Sequence, residues 1–135
     1  MTKSRRVAAL LTLADADLEA ALALADIGNR YAAYHCQQGA EKLVKAVLLD
    51  LGVESGAEHR IDVLLAKLPN TEPWKARLQP LERLTPFATT FRYPTPGGRI
   101  PEAPDAGAVK RDIAIIESLL KMARSGLLSK DDSPR

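Results

Sequence analysis

Apolar residues recur through the first half of this chain at the i, i+3, i+4 interval of a helix face. Prolines then interrupt the pattern, and it resumes in the final third. Val7, Leu10, Leu11, Ala14, Leu18, Ala21, Leu22 and Ala25 predict a first helix from about Ser4 to Asp26. Gly28 ends it and Asn29 is a good N-cap for a second helix, which runs to Leu51 and stops at Gly52. So short a link forces an antiparallel hairpin. After a loop over Val53–Glu58, His59-Arg60-Ile61-Asp62 opens a shorter helix with Ile61, Leu64, Leu65 and Leu68 inward, ending at Pro69-Asn70. Trp74, Leu78, Leu81 and Leu84 keep helical spacing between Thr71 and Phe91, but Pro80 and Pro86 must kink or divide that segment. Arg92-Tyr93-Pro94-Thr95-Pro96-Gly97-Gly98-Arg99 is irregular. Asp105 caps a last helix, about Ala106–Ser125, whose inward stripe is Val109, Ile113, Ile116, Leu120 and Ala123, with Gly126 at its end. No strand pattern or repeat is present. The expectation is all-α: an antiparallel up-and-down bundle of four to five helices in one domain, residues 1–128, with a disordered tail over 129–135.

The second helix carries two ordered faces. Cys36, Ala40, Leu43, Val47 and Leu51 fall in one sector, and Tyr34, Gln38, Glu41 and Lys45 lie on a line roughly opposite. Periodicity alone predicts a core helix with one solvated side.

Composition sharpens the class without naming a chemistry. The apolar share comes from Leu and Ala with few aromatics, which favours helices. The net charge of +2 is too small to argue for nucleic acid by itself. Its slight basic surplus lies in the middle segment, at Lys75, Arg77, Arg83, Arg92 and Arg99. No long uncharged stretch exists to span a membrane. Ser4-Arg5-Arg6 before Val7–Leu13 faintly resembles a twin-arginine signal, but Asp15, Asp17 and Glu19 break the apolar region too early. One cysteine, Cys36, excludes an intramolecular disulfide and fits a reducing, cytoplasmic setting. Its place on the apolar face marks it as a small core residue.

Candidate chemistry is sparse. Two histidines and one cysteine lack metal-ligand spacing, so no metal and no cofactor are expected, and P-loop, dinucleotide and serine-nucleophile motifs are absent. Arg30 and His35, with four residues between them, have the composition of a metal-free ribonuclease site. Histidine would move a proton and arginine would stabilise a charged phosphorane. Chance competes: eleven arginines and two histidines give about 0.5 accidental matches over the allowed offsets. On one unbroken helix the two side chains would also point about 140° apart. His59 reads first as a helix-start residue. In Arg92-Tyr93-Pro94, proline holds Tyr93 extended and arginine is a strong phosphate ligand.

The chain resembles the HEPN domain family. The resemblance rests on Gln37-Gln38-x-Ala40-Glu41-Lys42-x-x-Lys45-Ala46 on one helix, then a loop, then His59 followed by Leu64-Leu65. The Arg92-Tyr93-Pro94 loop and a terminal amphipathic helix complete it, over about residues 7–123. It implies an up-and-down α-bundle, homodimers, and a minimal nucleotidyltransferase as partner, sometimes as a toxin–antitoxin pair. Active members resemble metal-independent ribonucleases using Arg, a polar residue, three to five further residues and His; others bind nucleotides or RNA without cutting. Here Tyr31 follows Arg30, and the pair lies at the start of the second helix instead of late in the domain. Three readings follow. In the first, Gln38, Glu41, Lys45, His59, Arg92 and Tyr93 form a polar cleft: Lys45 and Arg92 hold phosphate, Tyr93 stacks or hydrogen-bonds, and Glu41 orients Lys45. The second is a ribonuclease toxin using Arg30 and His35, and the third is a structural module without a ligand.

Overall fold

Five α-helices form the bundle in a computed structural model that describes residues 2–128, and no strand occurs among them. The expected tail, residues 129–135, lies outside the described residues. Helix α1 spans Lys3–Asp26, α2 Ala32–Asp50, α3 Ile61–Leu65, α4 Pro73–Leu78 and α5 Ala106–Ala123. A 3-10 segment, Gln79–Ala88, follows α4, and a π-helical turn, Arg124–Leu128, follows α5. No helix among the described residues is long and apolar enough to cross a membrane.

The helix ends follow from local chemistry. Thr2 caps α1 by accepting from the Arg5 amide. At its other end Gly28 takes a φ of +67°, which lets the Asn29 amide reach back to the Leu24 carbonyl at 2.8 Å. Gly52, at φ +80°, closes α2 in the same way through Val53 N–H and the Leu48 carbonyl. Asn29, expected to cap the second helix, does not: its side-chain oxygen accepts from the Tyr31 amide at 2.9 Å in the turn before the helix. Tyr31 takes the N-cap position without a side-chain hydrogen bond, so regular helix starts at Ala32. Pro80 and Pro86 do not stop the chain from winding. Without their N–H groups it tightens into the 3-10 segment, which still buries Leu81 and Leu84.

α2 sits at the centre, packed by α1, α5, α3 and the 3-10 segment. Most of its circumference is therefore covered: Ala32, Ala33, Cys36, Gln37, Gly39, Ala40, Glu41, Leu43, Val44, Ala46, Val47 and Leu48 are all buried. Against it α1 presents Val7, Leu11, Ala14, Leu18, Ala21 and Ala25. Leu22, expected on that face, is 41% exposed, and Leu10 is half-buried, because the small alanines draw the two helices together along a narrower stripe.

Gly39 sets how closely they approach. A Cβ there would lie 2.8 Å from the Leu18 Cδ2 and 3.3 Å from the Ala14 carbonyl oxygen. A glycine inside a helix costs about 1 kcal/mol against alanine, and here the missing methyl makes the contact possible. Gly39→Val is expected to lower stability by about 1–3 kcal/mol, since the branched side chain has only backbone to displace on one side. Urea unfolding measures this, and an unchanged midpoint would mean the hairpin has slack at that point.

Candidate functional site

The polar face of α2 is not a solvated face. Glu41 is only 5% exposed and Gln37 is fully buried. Burial obliges their polar atoms to find partners, and they find them in one chain of contacts. Gln38 Nε2 donates to Gln37 Oε1 at 2.7 Å, and Gln37 Nε2 donates to Glu41 Oε1 at 3.2 Å. The other carboxylate oxygen, Glu41 Oε2, is shared by Lys45 Nζ at 3.1 Å and His59 Nδ1 at 2.8 Å. The pairing of Glu41 with Lys45 is one helical turn long.

His59 arrives from the loop before α3. Glu58 Oε2 accepts from the His59 and Arg60 amides at 3.0 and 3.1 Å, which holds the Glu58 carboxyl below its ordinary value, Arg60's amide contributing most. The His59 ring is 72% exposed, and among the described residues it is held through Nδ1. Glu41 thus ties the loop to α2. Because the Glu41 carboxylate has buried partners and His59 is in water, Glu41→Ala is expected to cost about 1–3 kcal/mol. His59→Ala should cost less than half of that; the reverse order in unfolding experiments would contradict the assignment of Glu41 as the hub.

A second centre lies at the start of the same helix. The Arg92 guanidinium stands 4.1 Å over the Tyr34 ring and 5.2 Å from the Tyr93 ring, and its Nη2 donates to the Tyr93 hydroxyl at 3.0 Å. Two aromatic faces fix its plane, each contact worth about 0.5–1 kcal/mol at an exposed site. Tyr34 packs edge-on against His35, 5.2 Å between centroids. Arg30 donates through one nitrogen, Nη1, to the Phe91 carbonyl at 3.3 Å and the Pro101 carbonyl at 2.8 Å. Arg30, Tyr31, Phe91, Arg92, Tyr93, Pro94, Gly98 and Ile100 line one cavity of about 430 Å³. Among the described residues no carboxylate pairs with Arg30 or Arg92, whereas Arg60, Arg83 and Arg124 each have one.

These placements redistribute the residues singled out in the sequence. Arg92 and Tyr93 come together, and Arg30 joins them. Gln38, Glu41, Lys45 and His59 form the other centre. Tyr34 and Lys45 are eleven residues apart on α2, about 16 Å along its axis, so the Arg92 and Lys45 centres lie at different heights on one helix. His35 is held elsewhere: its Nδ1 lies 3.4 Å from Asp17 Oδ1 on α1, and Lys42 Nζ reaches Asp17 Oδ2 at 2.5 Å. Arg30 and His35 therefore engage different elements, and no hydrogen bond joins them. The sequence marked Gln37 as part of the family motif and Tyr31 as a departure from the active pattern, but gave neither a place in a site, and it set Tyr34 on the stripe without a role. Tyr34 was recoverable, being one turn before Gln38; the partners of Arg30 were not.

Cys36 does not supply a nucleophile. It is fully buried, beside Asp112, whose carboxylate is gripped by both terminal nitrogens of Arg83. Burial pushes the thiol from its ordinary 9.0 up to about 12, the Asp112 charge adding to the effect and Arg83 opposing it. Because the folded value is the higher one, this thiol's contribution to stability is intact below pH 9. It is lost as pH rises from 9 towards 12, where only the unfolded chain ionises. Over that window the natural protein is expected to lose as much as about 1.4 kcal/mol per pH unit more than Cys36→Ala. Parallel stability profiles for the two would refute a buried, neutral thiol. Among the described residues no cluster of three or more His, Cys, Asp or Glu could hold a metal ion.

The structure thus defines an all-α bundle whose central helix carries a paired polar stripe, with an arginine–tyrosine cavity at its start. The family model of the HEPN domain matches residues 7–125, and the chain belongs to that family. Neither a curated protein nor a solved structure gave a match.

Proposed function

We propose that this HEPN-family chain is a nucleotide- or RNA-binding module whose ligand enters the cavity between Arg30, Arg92 and Tyr93. One observation carries the reading: Arg92, without a carboxylate partner among the described residues, shares a cavity with exposed tyrosines, and Arg30, bonded to two backbone carbonyls, forms part of its wall. An unneutralised guanidinium presents planar donors that suit phosphate oxygens. Tyr93, 59% exposed, and Tyr31 offer faces on which a base stacks. At about 430 Å³ the cavity falls within the usual range for small ligands. The second centre extends the surface along α2, where Lys45 and His59, oriented by Glu41, would meet a longer strand, with Gln38 between the two.

The family resemblance supports a homodimer working with a minimal nucleotidyltransferase in a toxin–antitoxin-like pair. The lone, buried Cys36 suits a reducing compartment such as the cytoplasm. The ribonuclease reading through Arg30 and His35 gains no support from their separate partners, and binding without cleavage is the reading adopted.

The test is fluorescence anisotropy with a labelled single-stranded RNA, and with AMP as competitor. Arg92→Ala should weaken RNA binding about tenfold and lower the slope of log K against log salt by roughly 1, as loss of one phosphate contact does. Arg111→Ala, an exposed change on α5, should leave binding unaltered. Equal affinity in the natural protein and Arg92→Ala would sink the proposal. RNA incubated with chelator should stay intact; cleavage abolished by His35→Ala would establish the nuclease instead.

A further inference from the structure

Arg30 deserves a different role from the one its spacing to His35 suggests. Its Nη1 bonds two carbonyls that lie 61 and 71 positions further along the chain, at Phe91 and Pro101. These residues bracket the segment 92–100, which carries Arg92 and Tyr93. Between them the chain forms a tight lobe of its own. Thr95 N–H donates to the Arg99 carbonyl at 2.7 Å, Gly98 N–H to the Thr95 carbonyl at 2.8 Å, and Arg99 N–H to Thr95 Oγ1 at 3.0 Å. The lobe is thus internally braced and attached at two necks, and one side chain spans both necks.

The side chain that does so is costly for the purpose. Arg30 is half-buried, and its charge has only carbonyl dipoles to face, with no carboxylate among the described residues. Next to the Phe91 neck, Arg92 lies against Tyr34 of α2 and its neighbour Tyr93. Phe91 adds an edge-to-face contact with Phe87 of the 3-10 segment, 5.4 Å between centroids. The lobe and its necks meet the bundle through Phe91 on Phe87, Arg92 on Tyr34, the Arg92 amide on the Thr89 carbonyl at 3.0 Å, and both necks on Arg30. Of these contacts, the last draws its two ends together.

We infer that Arg30 is a positioning residue: by bridging the Phe91 and Pro101 carbonyls it fixes the 92–100 lobe, so that Arg92 stays stacked on Tyr34 and faces the cavity. This rests on the reading of that cavity as a ligand site, but its first consequence needs no ligand. In the free protein, Arg30→Ala should raise amide hydrogen exchange over residues 89–101 at least tenfold while exchange in α5 stays as it was. Unchanged exchange in the lobe would overturn the inference.

A double-mutant cycle with the labelled single-stranded RNA tests the link to binding. If Arg30 acts through Arg92, Arg30→Ala weakens binding close to tenfold, and the double variant with Arg92→Ala is no weaker than the weaker single variant, within about threefold. If the losses multiply to about a hundredfold, Arg30 touches the ligand itself and the positioning role is wrong. If Arg92→Ala alone binds normally, the reading of the cavity fails, while the exchange experiment still judges the bridge. Should Arg30→Ala not fold, Arg30→Gln carries the same tests, since its amide stops short of both carbonyls yet keeps a polar surface.

Discussion

Near-complete burial of one helix is the constraint on which the other features depend. α2 is covered by α1, α5, α3 and the 3-10 segment, so its sequence has to satisfy two demands at once. Small residues must stand where α1 approaches, which is why Gly39 lies beneath Leu18 and Ala14. Polar residues on the same helix must be paired within the protein, because water is not available to them. The buried Gln37 and Glu41 meet the second demand by bonding one another and by drawing in the more exposed Gln38, Lys45 and His59. A helix with one wet face would have needed none of this.

Charge is distributed by the same logic. Where a cation lies near a buried or half-buried carboxylate it is paired: Lys45 with Glu41, Lys42 with Asp17, Arg83 with Asp112. The Arg83–Asp112 pair also places a negative charge near Cys36, which together with burial keeps that thiol protonated and inert. Arg30 and Arg92 depart from this pattern. Their partners are carbonyls, aromatic faces and a phenol, none of which cancels a positive charge. Arg77 likewise has no carboxylate among the described residues and lies 5.1 Å from the Trp74 centroid, so what distinguishes Arg30 and Arg92 is that they line one cavity together.

The two centres on α2 also differ in how they are held. The Glu41 centre is built from contacts within one helix, plus one loop residue, and its hydrogen bonds run from the buried Gln37–Glu41 bond to part-buried ones at Gln38 and His59. The Arg92 centre depends on a loop that no regular structure supports, rich in proline and glycine, and on aromatic stacking at the surface. Such a loop takes its position from the scaffold beneath it. Here the scaffold is the α1–α2 hairpin, and Arg30 reaches from the turn between those helices to the loop above.

By itself the sequence determined the helices, their order and the apolar stripes, because each depends on spacing within a few turns. Val109, Ile113, Ile116, Leu120 and Ala123 were legible as a buried face for that reason, and all are buried. Turn chemistry at Gly28 and Gly52 was local too, and so was the change from α to 3-10 winding at Pro80 and Pro86. The family was legible from the order of short motifs along the chain. Tertiary structure alone decided which polar groups became buried and what they touch. Glu41 read as solvated because its helix offers an apolar face opposite, and nothing in the spacing reports that the 3-10 segment and α3 cover the other side. Arg30 read as a partner of His35, five positions away, yet its hydrogen bonds go to residues more than sixty positions distant. Periodicity records what a helix repeats every few residues; where a side chain ends is fixed by packing between segments that the sequence keeps far apart.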